Sequence, residues 1–244
     1  SRRPANTASR LALPVSSMRL ADLADRRVAV WGCGPEGRAA IAALRTRLPG
    51  RPLSVFCSEA EAPSLPAGVG AVTTPVDGPA LSAFDVVVKS PGISAYQPAI
   101  LEAQHNGTRF TSGTALWFAE NASACVIAVT GTKGKSTVTA LVAHLLRALG
   151  RRVALAGNIG LPLLELLDPP VPADWWGVGL SSFQTRDAAS VEVGVINNLY
   201  EEHLDWHGSR ERYADDKLAL AAAARTLVLN AAQGELLART AAHP

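Results

Sequence analysis

No apolar run in this chain approaches the roughly 18 residues that a membrane-spanning helix requires, so no transmembrane segment is expected. Neither sign of charge dominates. Lys and Arg total 23 against 21 Asp and Glu, a formal net charge of +2, which leaves no broad electrostatic case for nucleic acid. Cysteines are few, odd in number and far apart. Cys33, Cys57 and Cys125 supply neither a disulfide framework nor a metal cluster and read as reduced thiols of a cytoplasmic protein. The first ten residues are polar and basic with no apolar stretch behind them, which argues against a secretory leader. There is no internal repeat and no low-complexity segment. What remains is ample for folding: 48% hydrophobic residues in 244, room for one large domain or two medium ones.

Two alternating strand–helix patterns follow one another, so an α/β fold with mainly parallel sheets covered on both faces is expected. Residues 1–25 read as an N-terminal tail, 26–122 as a Rossmann-like domain and 123–244 as a second α/β domain. In the first, strands are expected at 28–31, 53–56, 69–72 and 85–88, and helices at 38–48 and 97–106. Ser112 is placed to cap a last helix running to about residue 120. In the second, strands are expected at 126–129, 153–156, 177–180, 191–196 and 226–230, with an alanine-rich helix at 217–225. Val138, Leu141, Val142, Leu145, Leu146 and Leu149 recur at helical spacing and predict one apolar face, ended by Gly150.

The densest chemical signal is Gly131, Thr132, Lys133, Gly134, Lys135, Ser136 and Thr137, between an apolar strand and a helix start. Backbone N–H groups of a glycine turn and of a helix N-terminus attract phosphate, and a lysine adds a point charge. Ser136 or Thr137 can offer a hydroxyl to Mg²⁺. The common P-loop spacing would place glycine at Val129, so the loop is a shorter variant, unlike those of ordinary kinases and GTPases. Gly32, Gly34 and Gly37 form a second glycine turn after a strand. A nicotinamide site there would want an acid at the next strand end, but Phe56 is followed by Cys57 and Ser58, with Glu59 late. Another nucleotide-like ligand fits better. His203 lies just beyond an expected parallel strand, where ligands gather in open α/β sheets, and Glu201, Glu202 and Asp205 beside it could hold Mg²⁺ or water. Lys217 stands fourteen residues further on. His144 and His207 lack such context and read as structural or exposed. Asn158 and Ser181 follow two more strands, so four strand ends would present polar groups at one rim.

These segments together resemble the Mur ligases, ATP-dependent amide-forming enzymes of peptidoglycan precursor synthesis. The resemblance is carried by residues 131–137, 157–160 and 180–184, and by Glu202, His203, Leu204, Asp205 and Lys217. Within the family, Lys89, Ser90, Pro91 and Gly92 with the Gly32 turn point to members that add glutamate to UDP-N-acetylmuramoyl-L-alanine. Residues 107–110, 113–120, 181–185 and 203–208 are most similar to those that add L-glutamate, whose product a separate epimerase inverts. The resemblance implies a cytoplasmic enzyme of cell-wall biogenesis, and so of cell shape and division, using ATP and Mg²⁺. The second domain would be part of the family's ATP-binding central domain, and the first would bind the UDP of the acceptor. By matching position, Lys135 and the 131–137 loop would hold the nucleotide phosphates. Ser136 and His203 would each hold a metal ion. Lys217 would be carbamylated and would help hold the second. Asn158 would orient the reacting groups. Gly32, Cys33, Gly34, Pro35, Gly37, Ser90, Pro91, Gly92, Asn158 and Ser181 would contact the acceptor.

One position departs from the family pattern. Gly179 stands where a metal-binding Glu is usual, which predicts a weakened site unless another acid substitutes. The family's third domain, which supplies the glutamate site, is not expected within residues 1–244, so turnover by these residues alone is not expected either. Three other readings compete. One is a ligase of the same family that adds D-glutamate. Folylpolyglutamate synthases share the loop and metal pattern but lack a UDP-binding first domain. A non-catalytic nucleotide-binding module would be consistent with Gly179.

Overall fold

The computed structural model describes residues 18–200 and 202–243. Among the described residues ten strands form two separate five-stranded sheets, and every strand pair is parallel. The first sheet comprises β1 (Val28–Trp31), β2 (Leu53–Phe56), β3 (Val69–Val72), β4 (Val86–Lys89) and β5 (Arg109–Thr111), in the order β3-β2-β1-β4-β5. The second comprises β6 (Val126–Thr130), β7 (Val153–Gly157), β8 (Trp175–Gly179), β9 (Val191–Ile196) and β10 (Ala224–Leu229), in the order β10-β9-β6-β8-β7. In each, the first strand is central and the order reverses beside it. That reversal opens a crevice at the carboxyl ends of the strands.

Among the described residues eight α-helices accompany the sheets: α1 (Pro35–Arg47), α2 (Gly78–Ser82), α3 (Pro98–His105), α4 (Gly113–Glu120), α5 (Lys135–Ala148), α6 (Leu204–His207), α7 (Arg210–Ala223) and α8 (Gly234–Thr240). Ser112 caps α4 as expected, its Oγ accepting the Ala115 N–H at 3.1 Å. Helix α4 is buried on nearly every side, and its Trp117 meets Trp176 of β8 with ring centroids 4.7 Å apart. One apolar cluster therefore runs from β1 and α1 through α4 into β6 and β8. That shared core fixes the two crevices relative to each other.

Three expectations need correction. Residues 18–24 are no tail: Met18, Leu20 and Leu23 are buried, and the Leu20 N–H donates to Glu120 Oε1 at 2.8 Å. Residues 1–17 of the expected tail lie outside the described residues. The helix expected at 217–225 begins seven residues earlier, because Ser209 caps it by accepting from the Arg212 N–H at 3.2 Å. The leucine face of α5 is not the one that packs. Thr139 and Ala143 are buried, whereas Leu141, Leu145 and Leu149 are 54%, 52% and 75% exposed. The sheet beneath explains this. Gly177 and Gly179 lie under Thr139, so the helix rests close on the sheet through small side chains.

Candidate active site

Strand β6 delivers the 131–134 loop to the rim of the second sheet, and α5 starts immediately after it. Gly131 and Gly134 have φ of +155° and +76°, a region costly for residues with a Cβ. Space forbids a side chain too, since a Cβ on either would sit within 3.0 Å of Asn197. Asn197 and Asn198 splint the loop from β9. Asn198 Oδ1 accepts the Lys133 N–H at 2.9 Å, and both side-chain amides donate to the Lys133 carbonyl at 2.9 and 3.0 Å. Thr132 Oγ1 lies 2.7 Å from the Tyr213 hydroxyl and accepts the Tyr200 N–H at 2.9 Å. No side chain caps the N-terminus of α5, so its first amides remain available to an anion. Lys135 Nζ reaches back over the loop to the Gly131 carbonyl at 3.3 Å. Burial pushes its ammonium below the usual lysine range, with Glu202 opposing.

The neighbouring strand ends add the rest of this rim. Asn158 follows β7, with its N–H on the Gly179 carbonyl at 2.7 Å. Ser181 follows β8 and donates to Gln184 Oε1 at 2.9 Å, and Gln184 in turn donates to Thr114 at 3.2 Å. His203 sits in the left-handed region at φ +55°, its ring 5.1 Å from that of Phe183. Glu202 holds Lys133 Nζ at 2.8 Å and lies 3.6 Å from His203 Nε2. Lys217 is only 2% exposed and lies over the Tyr213 ring. Burial, reinforced by Lys135, pulls its ammonium down to about 7, so a large share is neutral amine near neutrality.

The first sheet offers a matching rim. Gly32 has φ +103°, and Gly37 packs so tightly under it that a Cβ would lie 1.9 Å from the Gly32 carbonyl. Helix α1 starts at Pro35 with no side-chain cap on its N-terminus. Among the described residues no hydrogen-bond partner reaches Ser90 Oγ, which is buried at the end of β4, as a group awaiting a ligand would be. Burial lifts the Cys33 thiol to about 11.

The two rims face each other across one cavity of about 670 Å³. From the first sheet it is lined by Gly32, Cys33, Gly34, Pro35, Ser90, Pro91 and Gly92. From the second it is lined by Gly131, Thr132, Lys135, Asn158, Ser181, His203 and Lys217. Six of the candidate ligand-binding residues stand outside it. Gly37 is buried behind the turn, Lys133, Gly134, Ser136 and Thr137 are exposed on the loop and the first turn of α5, and Asp205 is exposed on α6. Glu201 lies outside the described residues. The splinting pair Asn197 and Asn198 was not singled out in the sequence, nor was Asp216, which gathers Tyr96, Arg186 and His207 around its carboxylate. Position after β9 was the available signal for the asparagines. His207 is buried and His144 exposed.

The donors around the loop suit Mg²⁺ in one particular way. Among the described residues, no group of three or more His, Cys, Asp or Glu side chains stands together. Mg²⁺ does not need one, because it takes most ligands from phosphate and water and few from protein. Glu202 and His203 line the cavity beside Lys135 and fit that pattern. Position 179 does not. A Cβ there would meet Ile159 Cγ2 at 3.0 Å and Thr139 Oγ1 at 3.5 Å, so Glu202 is the carboxylate this cavity offers on that side.

Comparison with known proteins gives a consistent result. Residues 129–243 match the Mur ligase middle domain. A UDP-N-acetylmuramoyl-L-alanine--L-glutamate ligase of Xanthomonas euvesicatoria pv. vesicatoria is 53% identical over 88% of this chain and 49% of its own length. Proteins of the same name are 49% identical in Xylella fastidiosa, over 90% of this chain and 50% of theirs, and 43% identical in a Micromonospora species, over 93% and 51%. The chain thus spans about half the length of the curated relatives it matches. Among solved structures, UDP-N-acetylmuramate:L-alanyl-gamma-D-glutamyl-meso-diaminopimelate ligase from Neisseria meningitides shares the fold. Its TM-score is 0.53 at 20% identity, covering 88% of this chain and 75% of that one.

Proposed function

The chain belongs to the Mur ligase family, and we propose that it forms the acceptor- and ATP-binding part of a ligase joining L-glutamate to UDP-N-acetylmuramoyl-L-alanine. The observation that carries this reading is the single cavity shared by both rims. It sets an uncapped helix start and Lys135 on one side against a second uncapped helix start and the unpartnered Ser90 on the other. Two phosphate-bearing molecules can meet there, which is what phosphorylating one by the other requires.

The chemistry asks the protein chiefly for position and charge. An oxygen of the acceptor's alanine carboxylate attacks the γ-phosphorus of ATP, and ADP leaves. The amine of glutamate then attacks the acyl carbon, and phosphate leaves. Lys135 and the loop amides would neutralise charge growing on the transferred group. The Gly32 turn, Cys33, Gly34, Pro35, Ser90, Pro91 and Gly92 would hold the UDP end, with Gly37 keeping the turn close. Asn158 and Ser181 would orient the reacting carboxyl. Glu202, His203 and Ser136 would hold Mg²⁺, which supplies charge neutralisation at the phosphates when bound. Lys217, as a buried amine with a large neutral share near neutrality, is suited to react with CO₂. The resulting carbamate would give that side a second anion. A first domain that includes residues 18–24 and runs to 122, a second from 123 to 244, a cytoplasmic location and a partner epimerase acting on the product complete the proposal. Among the described residues, no helix is long and apolar enough to cross a membrane.

Titration calorimetry on this chain tests the reading. Mg-ATP and UDP-N-acetylmuramoyl-L-alanine should both bind, and Lys135→Ala should weaken Mg-ATP at least about tenfold, the loss of one charge-assisted contact, while sparing the acceptor. Equal ATP affinity in the variant would sink the assignment of the loop. Acceptor binding without any ATP binding would favour a non-catalytic module, the reading that Gly179 supports.

A further inference from the structure

Ser182 lines the cavity next to Ser181, but its hydroxyl is engaged differently. Its Oγ lies 3.0 Å from His207 Nε2, and His207 Nδ1 lies 2.6 Å from Asp216 Oδ2. All three residues are nearly or fully buried, at 4%, 0% and 1% exposure. Asp216 also accepts from other donors. The Tyr96 hydroxyl donates to both of its oxygens at 2.8 and 2.9 Å, and Arg186 Nε donates as well. The proton between His207 and Asp216 therefore belongs to Nδ1, and Nε2 is left as an acceptor for the Ser182 hydroxyl. A histidine needed only to satisfy Asp216 would not have to reach a hydroxyl on the cavity wall.

Resting on the ligase reading, we propose that Ser182, backed by His207 and Asp216, takes the proton released when the incoming amine attacks the acyl phosphate. The nitrogen lone pair forms the C–N bond, and the C–O bond to phosphate breaks with its electron pair leaving on phosphate. The excess N–H proton passes to Ser182 Oγ as the Ser182 hydroxyl proton passes to His207 Nε2. His207 ends as an imidazolium against the Asp216 carboxylate. Ser182 touches the amine, while His207 and Asp216 are positioning residues that act through it. A positioned base of this kind contributes about 10²- to 10⁴-fold.

The test uses the complete protein that carries this chain, supplied with Mg-ATP and UDP-N-acetylmuramoyl-L-alanine, and compares two nucleophiles. Glutamate presents a strongly basic amine that must shed a proton to the protein. Hydroxylamine sheds a proton too, but its weakly basic nitrogen gives it up to water without a positioned acceptor, and it traps the acyl phosphate as a hydroxamate. In Ser182→Ala and in His207→Gln, the ratio of amide to hydroxamate should fall about 10²-fold. Ser182→Ala removes one oxygen and answers the question even where the buried His207→Gln does not fold. An unchanged ratio in Ser182→Ala, with both products falling together or neither falling, would overturn the relay. Absence of acceptor-dependent ADP and hydroxamate from the unsubstituted protein would overturn the ligase reading and the relay with it.

Discussion

Glu36 is a carboxyl group placed where its charge is costly. It lies in the first turn of α1 and lines the cavity. Burial first, and then repulsion from Glu165, lifts it from an ordinary 4.5 to about 7. The sign of its effect on stability follows. The folded state binds this proton more tightly than the unfolded chain does. The stabilisation is complete below pH 4.5 and is lost as pH rises through about 7. Glu36→Gln should remove that loss, so its urea midpoint should gain on the unsubstituted chain between about pH 5 and about pH 8. A midpoint difference that stays constant with pH would show that Glu36 does not titrate in this window. Other residues of the site were legible for a simple reason. Gly131, Gly134 and Lys135 act locally, through backbone conformation and a helix start, and local chemistry leaves its mark in consecutive residues. Asp216 acts through partners 30 and 120 positions away, and no spacing rule connects it to Arg186 or Tyr96.

Elements were read more reliably than their faces. The apolar spacing from Val138 to Leu149 gave the existence of α5, but its most regular stripe is turned outward. What decides is the surface beneath: Gly177 and Gly179 admit Thr139 at close range, and glycines in a strand carry no sign of which helix will lie on them. Leu145→Gln should therefore change the unfolding free energy by no more than about 0.5 kcal/mol. Ala143→Leu should lower it by about 1–3 kcal/mol through overpacking. Chemical denaturation of the two variants compares them directly, and a larger loss at Leu145 than at Ala143 would contradict the packing described. The same lesson holds for α7, whose start is set by the Ser209 cap and not by the alanine-rich stretch that advertises it.

At the scale of the molecule, two parallel sheets were evident from alternation, and their meeting was not. The face-to-face arrangement depends on Trp117 against Trp176 and on a latch between the loop after β4 and the segment from α6 to α7. In that latch Ser94 donates to the Trp206 carbonyl, Trp206 Nε1 donates to the Pro91 carbonyl at 3.1 Å, and Tyr96 holds Asp216. These partners are more than a hundred residues apart in sequence, so nothing local announces them. The latch joins the loop proposed to hold the acceptor to the helix that carries Lys217, and so gives the cavity its shared walls. The measurement that bears most directly on this account is ADP formation by the complete protein with UDP-N-acetylmuramoyl-L-alanine and each enantiomer of glutamate. The account predicts acceptor-dependent ADP release coupled to amide formation, a clear preference for L-glutamate, and loss of both products in Lys135→Ala. Preference for D-glutamate, or ADP release indifferent to the acceptor, would contradict it.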